Sequence, residues 1–213
     1  MSESSDTTAP SRRRRHRGTG RGDSRRDELL HVASELFAEN GYRDTSIADI
    51  AQRVGVTQQA LLYYFGSKPA LLDAVIDERD GAAVAFAEEL AAIGGFDAIR
   101  AIPSSARRNV AEPNLVRLFA VLVAENLPQH AVAHDHFVAR YRRLRRIVAE
   151  LIAEGQRTGE FSTDVDPILK AAEVVAVIDG LNTQWLLDPD DVDIVGATEQ
   201  FAAGLADSLR VRA

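Results

Sequence analysis

The spacing of apolar residues is the feature of this sequence that most constrains its fold. Apolar side chains recur at steps of three and four residues over almost the whole chain, as in the run Leu29, Ala33, Leu36 and Phe37. That spacing places them on one face of an α-helix, whereas the two-residue alternation of a half-buried strand never persists for more than a few residues. The sequence therefore predicts an all-α protein.

Capping residues, glycines and prolines divide this pattern into about nine helices. Asn40-Gly41 ends the first helix, Gly55 ends the second, and Asp166-Pro167 begins the eighth. Glycine favours the C-terminal end of a helix, and proline is tolerated in its first turn. The predicted helices cover about 24–39, 47–54, 57–63, 67 to Gly94, 96–111, 113 to Pro128, 134–158, 166–187 and 192–210.

Composition narrows the class of protein. The 213 residues are 46% hydrophobic, which is enough to bury a sizeable core. The chain has no cysteine, so disulfides and thiolate metal sites are excluded. The sequence contains no run of 18 apolar residues, the length that would suggest a membrane-spanning helix. We therefore expect a cytoplasmic protein that does not contact a membrane.

The net charge of −7 is unevenly distributed. Residues 1–68 carry 11 basic and 9 acidic side chains, and the rest of the chain is strongly acidic. Arg12 to Arg15, Arg17 and Arg21 lie among Ser, Thr, Gly and Pro, a composition that cannot bury apolar surface. We predict a disordered basic arm over residues 1–22, which either contacts DNA or serves only as a solubilising tail.

Residues 47–63 have the spacing of a helix-turn-helix. Ala51 is small enough to let a second helix cross closely, and four residues later Gly55 can take the positive φ that the tight turn requires. The apolar residues expected to hold both helices against the first one are Ile50, Val54, Val56 and Leu61.

Polar residues at the start of the third helix are the candidate base readers. Gln58 and Gln59 stand where a recognition helix enters the major groove, and a glutamine amide can pair with adenine. The alternative is a merely solvated helix start. Candidate phosphate ligands near the same helix starts are Thr45 or Ser46, Thr57, Tyr63, Tyr64 and Lys68. Of the two adjacent tyrosines, we expect one to pack inward and the other to reach the DNA backbone.

Two stretches of this region resemble the DNA-binding domain of TetR-family regulators. They are A-x-E-L-F-A-E-N-G-Y-x-x-T-S-I-A-D-I-A-x-x-V-G-V-T at 33–57 and Y-Y-F-G-S-K-P-A-L-L at 63–72. The resemblance implies a homodimer that binds a palindromic operator, usually as a repressor. It also implies an effector pocket in a C-terminal bundle and a dimer interface formed by the last two helices. The chain departs from the family pattern at Leu62, where tyrosine is common, and at Tyr64, where histidine is common.

These observations divide the chain into a basic arm (1–22), a helix-turn-helix DNA-binding domain (23–68) and a ligand-binding and dimerisation domain (69–213). The candidate ligand-binding residues combine aromatic bulk with rare polar groups on buried helix faces. They are Phe86, Leu90, Phe119, Asn126, Phe137, Tyr141, Asn182 and Trp185. Because the fourth helix joins both domains, we expect an effector against its C-terminal half to tilt it and shift the recognition helices.

A glycine inside the eighth helix marks the expected dimer interface. Another helix can approach Gly180 closely, and apolar neighbours on the last two helices complete the candidate set. The set is Val177, Gly180, Leu181, Phe201 and Leu205. The alternative for Gly180 is tight packing within one subunit.

Two further patterns are weaker evidence for a functional site. His130, His134 and His136 with Asp135 have a permissive metal-ligand spacing, but no second ligand cluster accompanies them, so no metal site is predicted. The arginine run 140–146 is followed by Glu150 and Glu154, which favours an exposed, ion-paired face over a second nucleic-acid surface.

Enzymatic motifs are absent from the sequence, which has no phosphate-binding loop, nucleophile elbow or H-E-x-x-H zinc motif. We therefore predict no enzyme activity and no cofactor; the partners expected are operator DNA, an unknown small-molecule effector and a second copy of the chain. Two alternatives stay open: an all-α small-molecule carrier or helical enzyme that uses the C-terminal bundle, and a DNA-binding scaffold without an effector. Deleting residues 1–68 abolishes the main activity only if the chain is a regulator.

Overall fold

The computed structural model describes the backbone of residues 19–211 and the side chains of residues 24–78, 80, 81 and 83–211. Within these residues the chain forms ten helices and no strand, which confirms the predicted all-α class. The helices are α1 (Thr19–Asp44), α2 (Ile47–Val54), α3 (Gln58–Phe65), α4 (Lys68–Ile93), α5 (Gly95–Ala101), α6 (Pro103–Ala111), α7 (Pro113–Glu125), α8 (His134–Arg157), α9 (Pro167–Leu187) and α10 (Ile194–Leu209).

Several boundaries differ from those expected, among them the end of α1, which continues past Gly41 to Asp44. Most of the predicted basic arm, residues 1–18, lies outside the described residues. Its expected end at residue 22 is wrong, because α1 already begins at Thr19. The single helix expected at 96–111 is divided into α5 and α6. The backbone at Ile102 keeps helical angles (φ −49°, ψ −43°), and the interruption comes from Pro103, which has no N–H to donate to the preceding turn.

The largest core cluster joins the N-terminal helices to the helices that follow. Leu29, Phe37, Ile50 and Leu61 of α1 to α3 share this cluster with side chains of α4, α7 and α8. The members from these later helices are Leu71, Leu72, Val75, Ile76, Leu118, Leu122 and Phe137. The helix-turn-helix is therefore mounted on the bundle through a continuous apolar core and does not form a separate one.

The end of α7 is fastened to the last residues of α1. Gly41 interrupts α1 with a φ of 82°, and the backbone N–H groups of Tyr42 and Arg43 then donate to the Glu125 carboxylate at 2.8 and 3.2 Å. A β-carbon at Gly41 would lie 2.7 Å from Glu125 Oε1. Glycine is therefore needed here both for the backbone angle and for the approach of the carboxylate. We call this contact the Glu125 anchor.

The C-terminal helices enclose two further apolar clusters. One contains Ile99, Ile152 and Leu205 of α5, α8 and α10, and the other contains Trp185 and Ile194 of α9 and α10. α4 packs against both α3 and α8, so it connects the helix-turn-helix to the bundle.

Over the described part of the chain, no helix combines the length and apolar character needed to cross a bilayer.

Candidate DNA-binding site

The turn between α2 and α3 is fixed by caps on both helices. Ser46 Oγ accepts a hydrogen bond from Asp49 N at 3.1 Å, and the Asp49 carboxylate accepts one from Ser46 N at 2.7 Å, which caps α2 reciprocally. Gly55 ends α2 in the left-handed region (φ 74°, ψ 37°). Thr57 Oγ1 caps α3 by accepting from Ala60 N at 3.1 Å. The predicted helix-turn-helix is confirmed.

Burial separates the two faces of α3. Leu61 is fully buried and Phe65 nearly so, and both belong to the core shared with α1. The rest of the helix surface carries Gln58, Gln59, Leu62 and Tyr63, all of which are exposed. We call these four residues the reading face. Because the core contacts come from the other side, the reading face is free to enter a groove without disturbing the fold.

The two adjacent tyrosines of α3 both point outward. Tyr63 is 87% exposed and Tyr64 is 38% exposed, and their rings meet edge to face with centroids 5.8 Å apart. The expectation that one of them packs inward is therefore wrong. Phe65 takes the inward position, because it lies one helical turn after Leu61 on the buried face.

Thr45 does not present its side chain to the surface. It is 1% exposed, and its hydroxyl lies within donating distance of the carbonyl oxygens of Gly41 (2.7 Å) and Leu36 (3.1 Å). Its expected role as a phosphate ligand is therefore wrong, since the hydroxyl is used to satisfy carbonyls at the end of α1. Ser46, the next residue, is exposed at the start of α2 and remains a candidate.

Lys68 is held in place at the start of α4. Its Nζ donates to the carbonyl oxygen of Arg43 at 3.3 Å and lies 4.3 Å from the centre of the Tyr42 ring. Burial lowers the pKa of Lys68, and nearby carboxylates, Glu125 foremost, oppose that shift. The ammonium group is thus fixed beside the entry to α2, where it adds positive charge to the surface around the reading face.

Comparison with known families agrees with this geometry. The family described as "Bacterial regulatory proteins, tetR family" matches residues 29–75, from α1 into α4. The family described as "BetI-type transcriptional repressor, C-terminal" matches residues 104–210, about half of the chain. The chain belongs to the TetR family. It is accordingly a DNA-binding transcriptional regulator, and α2 and α3 are the helix-turn-helix of this TetR-family protein.

Individual TetR-family relatives align along most of the chain. The HTH-type transcriptional regulator TtgR of Pseudomonas putida is 25% identical over 201 residues, which cover 87% of this chain and 91% of TtgR. The HTH-type transcriptional repressor KstR2 of Rhodococcus jostii is 29% identical over 149 residues, covering 67% and 70% of the two chains. The solved structure of FadR from Bacillus subtilis in complex with stearoyl-CoA shares the fold, with a TM-score of 0.73, 20% identity and coverage of 86% and 99%.

The predicted effector-binding residues of this TetR-family chain lie at several separate places in the bundle. Phe137 belongs to the core shared with α1, and Phe119 packs against that core. Their ring centroids are 6.4 Å apart. Leu90 packs against the second apolar cluster, and Trp185 is buried in the third. Phe86 lies beneath the guanidinium of Arg108, 4.7 Å from it. The candidates therefore line more than one helix junction.

The two predicted asparagines have different surroundings. Asn126 is buried, and its amide donates to Leu122 O at 2.8 Å and accepts from Ala133 N at 2.9 Å. Its side chain closes the loop between α7 and α8, and its contact with a ligand stays a prediction. Asn182 is half-buried and accepts from Asn109 Nδ2 at 2.8 Å, which links α9 to α6.

Arg140 is a functional candidate that the sequence did not distinguish from its neighbours. It was expected on an exposed face, but its side chain is only 11% exposed; it pairs with Asp80 of α4 and lies 4.2 Å from the centre of the Phe119 ring. Burial lowers the pKa of Arg140. Arg143, by contrast, follows the expectation and pairs with Glu88 at an exposed position, at 2.6 Å. Helical spacing alone does not tell which arginine of the run faces α4.

Tyr141 follows Arg140 and is half-buried beside α9. Burial, and after it the Asp179 carboxylate, raises the pKa of Tyr141. The phenol therefore stays protonated at neutral pH and can donate a hydrogen bond. Together with Arg140, Asp80 and Asp179 it places polar groups at the junction of α4, α8 and α9.

The predicted dimer-interface residues are only partly available to a partner. A β-carbon at Gly180 would meet no atom within 4 Å, so the alternative of tight packing within one subunit is wrong. Val177, Leu181 and Phe201 are half-buried. Leu205 is buried in the second apolar cluster, and its expected place in the interface is wrong because the subunit's own core already covers it.

Proposed function

We propose that this TetR-family chain is a repressor that binds palindromic operator DNA as a homodimer in the cytoplasm, is released by a small-molecule effector, and has no catalytic activity. The observation that carries the proposal is the reading face of α3. Two glutamines and a tyrosine are exposed on a short helix that Leu61 and Phe65 attach to the core. Such an arrangement suits insertion into the major groove.

Each contact with DNA follows from the chemistry of the exposed groups. Gln58 and Gln59 read base edges, because their amides both donate and accept hydrogen bonds and match adenine. The exposed hydroxyls and the fixed ammonium group around them bind phosphates and set the position of α3 on the duplex. These phosphate ligands are Ser46, Thr57, Tyr63, Tyr64 and Lys68.

The homodimer is supported by an open apolar stripe on α9. Leu169, Ala176, Gly180 and Leu187 fall on one side of the helix at steps of seven and four residues, and Leu169 and Leu187 are 64% and 81% exposed. An apolar stripe with a glycine at its centre favours close approach of a second helix. Pairing of α9 and α10 with those of a second copy brings two recognition helices to a spacing of about 34–36 Å or a multiple of it.

The effector site is proposed at the junction of α4, α7, α8 and α9. Phe119 and Tyr141 are half-buried there, beside the Arg140–Asp80 pair that joins α8 to α4. Asn182 is half-buried further along α9, where it accepts a hydrogen bond from Asn109 of α6. FadR of Bacillus subtilis, which shares the fold, was solved with stearoyl-CoA, and this supports a small-molecule effector for the present chain. Because α4 also packs on α3, a ligand that displaces Arg140 from Asp80 changes the position of the reading face.

Selection of bound DNA from a random duplex library with the purified full chain tests the proposal. We expect an inverted repeat to be enriched. Gln58→Ala and Gln59→Ala should each weaken binding of that repeat by about tenfold and relax the preference at one A·T pair, since a good bidentate contact contributes about 1–3 kcal/mol of discrimination. Gln129→Ala, at an exposed position in the loop between α7 and α8, is the matched control and should bind as the unchanged chain does. Enrichment of no sequence would contradict the proposal and favour a carrier function for the bundle.

A further inference from the structure

We propose that Leu62 reads the C5-methyl group of a thymine that lies within about two base pairs of the adenine read by Gln58 or Gln59. This inference rests on the proposed function and adds a specificity-determining residue to the reading face. It assigns the recognition of a methyl group to an apolar side chain, whereas the glutamines and hydroxyls around it contact polar groups.

Leu62 lies on the reading face and not in the core. It follows Gln58 by four residues and Gln59 by three, so the three side chains are neighbours on one helix surface. Leu62 is 37% exposed, whereas Leu61 and Phe65 supply the buried contacts of α3. A helical side chain leans toward the N-terminal end of its helix, which carries Leu62 over the turn that holds the two glutamines.

The chemistry of leucine leaves one partner in the major groove. Its side chain has no donor or acceptor, so it binds neither phosphates nor the polar atoms of base edges. The thymine methyl is the apolar group that base edges present in this groove. Removing both the methyl and the Leu62 side chain from water is favourable, whereas a docked Leu62 that faced a polar base edge would desolvate that edge without compensation.

The geometry of helix and duplex limits where that thymine lies. One turn of α-helix advances about 5.4 Å, and successive bases of one strand are about 3.4 Å apart. Leu62, one turn beyond Gln58, therefore reaches a base pair at most about two steps from the one that the glutamine reads. The operator half-site should contain an adenine and, within that distance, a thymine whose methyl group faces the same groove.

Replacement of thymine by deoxyuridine tests the inference, because it removes only the methyl group and keeps the hydrogen-bonding edge. The operator selected by the full chain is synthesised with deoxyuridine at each thymine in turn, and affinity is measured at fixed salt. Burial of one methyl group corresponds to about fourfold in affinity. We expect the unchanged chain to lose about fourfold at one thymine of the half-site.

The protein variants identify Leu62 as the source of that loss. Leu62→Ala should bind the intact operator several-fold more weakly and lose nothing further when the critical thymine becomes deoxyuridine. Leu62→Met, which keeps an apolar side chain of similar volume, should keep the fourfold sensitivity. Gln129→Ala, at an exposed position outside the reading face, should keep it as well. Since Leu62 is outside the core, Leu62→Ala should melt close to the unchanged chain.

The outcomes separate this inference from the proposed function. If the unchanged chain is insensitive to deoxyuridine at every thymine, or if Leu62→Ala is as sensitive as the unchanged chain, the role of Leu62 is overturned while operator binding stands. If no sequence is enriched from the library, the proposed function fails, and the inference fails with it.

Discussion

At the residue scale, the glycine of the helix-turn-helix is required for its backbone angle and not for space. Gly55 has a φ of 74°, and a β-carbon there would meet nothing within 4 Å. Gly41 differs, because a β-carbon would there lie 2.7 Å from Glu125 Oε1. A substitution at Gly55 therefore isolates the energetic cost of the left-handed conformation.

We expect Gly55→Ala to lower the free energy of unfolding by about 1–2 kcal/mol, the cost of the left-handed region for a residue with a β-carbon. Gly81→Ala is the matched control, because Gly81 lies inside α4 with equally open surroundings. It should raise the free energy of unfolding by about 0.5–1 kcal/mol, since alanine is the better helix former. Urea denaturation measures both variants, and a change of the same sign in the two would contradict the explanation.

The cap of α2 gives a pH dependence of known sign. The Ser46 hydroxyl, and then its backbone N–H, lowers the pKa of Asp49 below the ordinary value of 3.8. Because folding favours the ionised form, the contribution of Asp49 to stability is present above pH 3.8 and is lost as the pH falls through the lower folded-state pKa. An NMR titration should place the pKa of Asp49 below 3.8, and Ser46→Ala should raise it toward that value. An unchanged pKa in the variant would show that the capping box is not the cause.

At the element scale, α7 is a helix that connects the helix-turn-helix to the C-terminal bundle. Leu118 and Leu122 enter the core of the helix-turn-helix, and Phe119 on the same helix lies beneath Arg140 of the bundle. The Glu125 anchor then fixes the end of α7 to the segment that leads into α2. A shift of α7 is thus transmitted to the helix-turn-helix by a second connection besides α4.

Removing the anchor should weaken that connection. We expect Glu125→Ala to lower the free energy of unfolding by about 1.5 kcal/mol, because two backbone N–H groups lose a charged acceptor. Operator affinity should fall as well, since the position of α2 and α3 is no longer fixed. Arg117→Ala, at an exposed position of the same helix, is the control and should stay within about 0.5 kcal/mol of the unchanged chain. Equal stability and equal operator affinity of the two variants would refute a structural role for the anchor.

At the scale of the whole molecule, we propose that the outer face of α9 joins two subunits so that their reading faces act together. The stripe around Gly180 is not covered by the subunit itself, and two of its leucines are largely exposed. An exposed apolar stripe of this length favours association. For a dimer to bind the operator with both reading faces, this face of α9 must stay packed against the second subunit.

Gly180→Arg should therefore convert the protein to a monomer without unfolding it, because a β-carbon at this position meets no atom of its own subunit within 4 Å. Light scattering should give the mass of one chain in place of two, and affinity for the full inverted repeat should fall toward that for a single half-site. Gly81→Arg places the same side chain at an open position of α4 and should remain dimeric. A dimer that survives Gly180→Arg would move the interface elsewhere.

The sequence by itself determined the features that depend on neighbouring residues along the chain. The helical periodicity, the caps at Ser46 and Thr57, the turn at Gly55 and the outward position of Gln58 and Gln59 all follow from spacings of a few residues. These features depend on local backbone angles and on the 3.6-residue repeat, so a linear sequence is enough to predict them. The two stretches at 33–57 and 63–72 added the family, which the comparisons confirmed.

Only the tertiary structure decided which side chains face residues far away in the sequence. Thr45 and Leu205 are buried, both tyrosines of α3 point outward, and Arg140 turns away from its exposed neighbours toward Asp80. The Glu125 anchor joins residues more than eighty positions apart. Each of these outcomes depends on the rotation of one helix against another, and that rotation is set by the packing of the whole core.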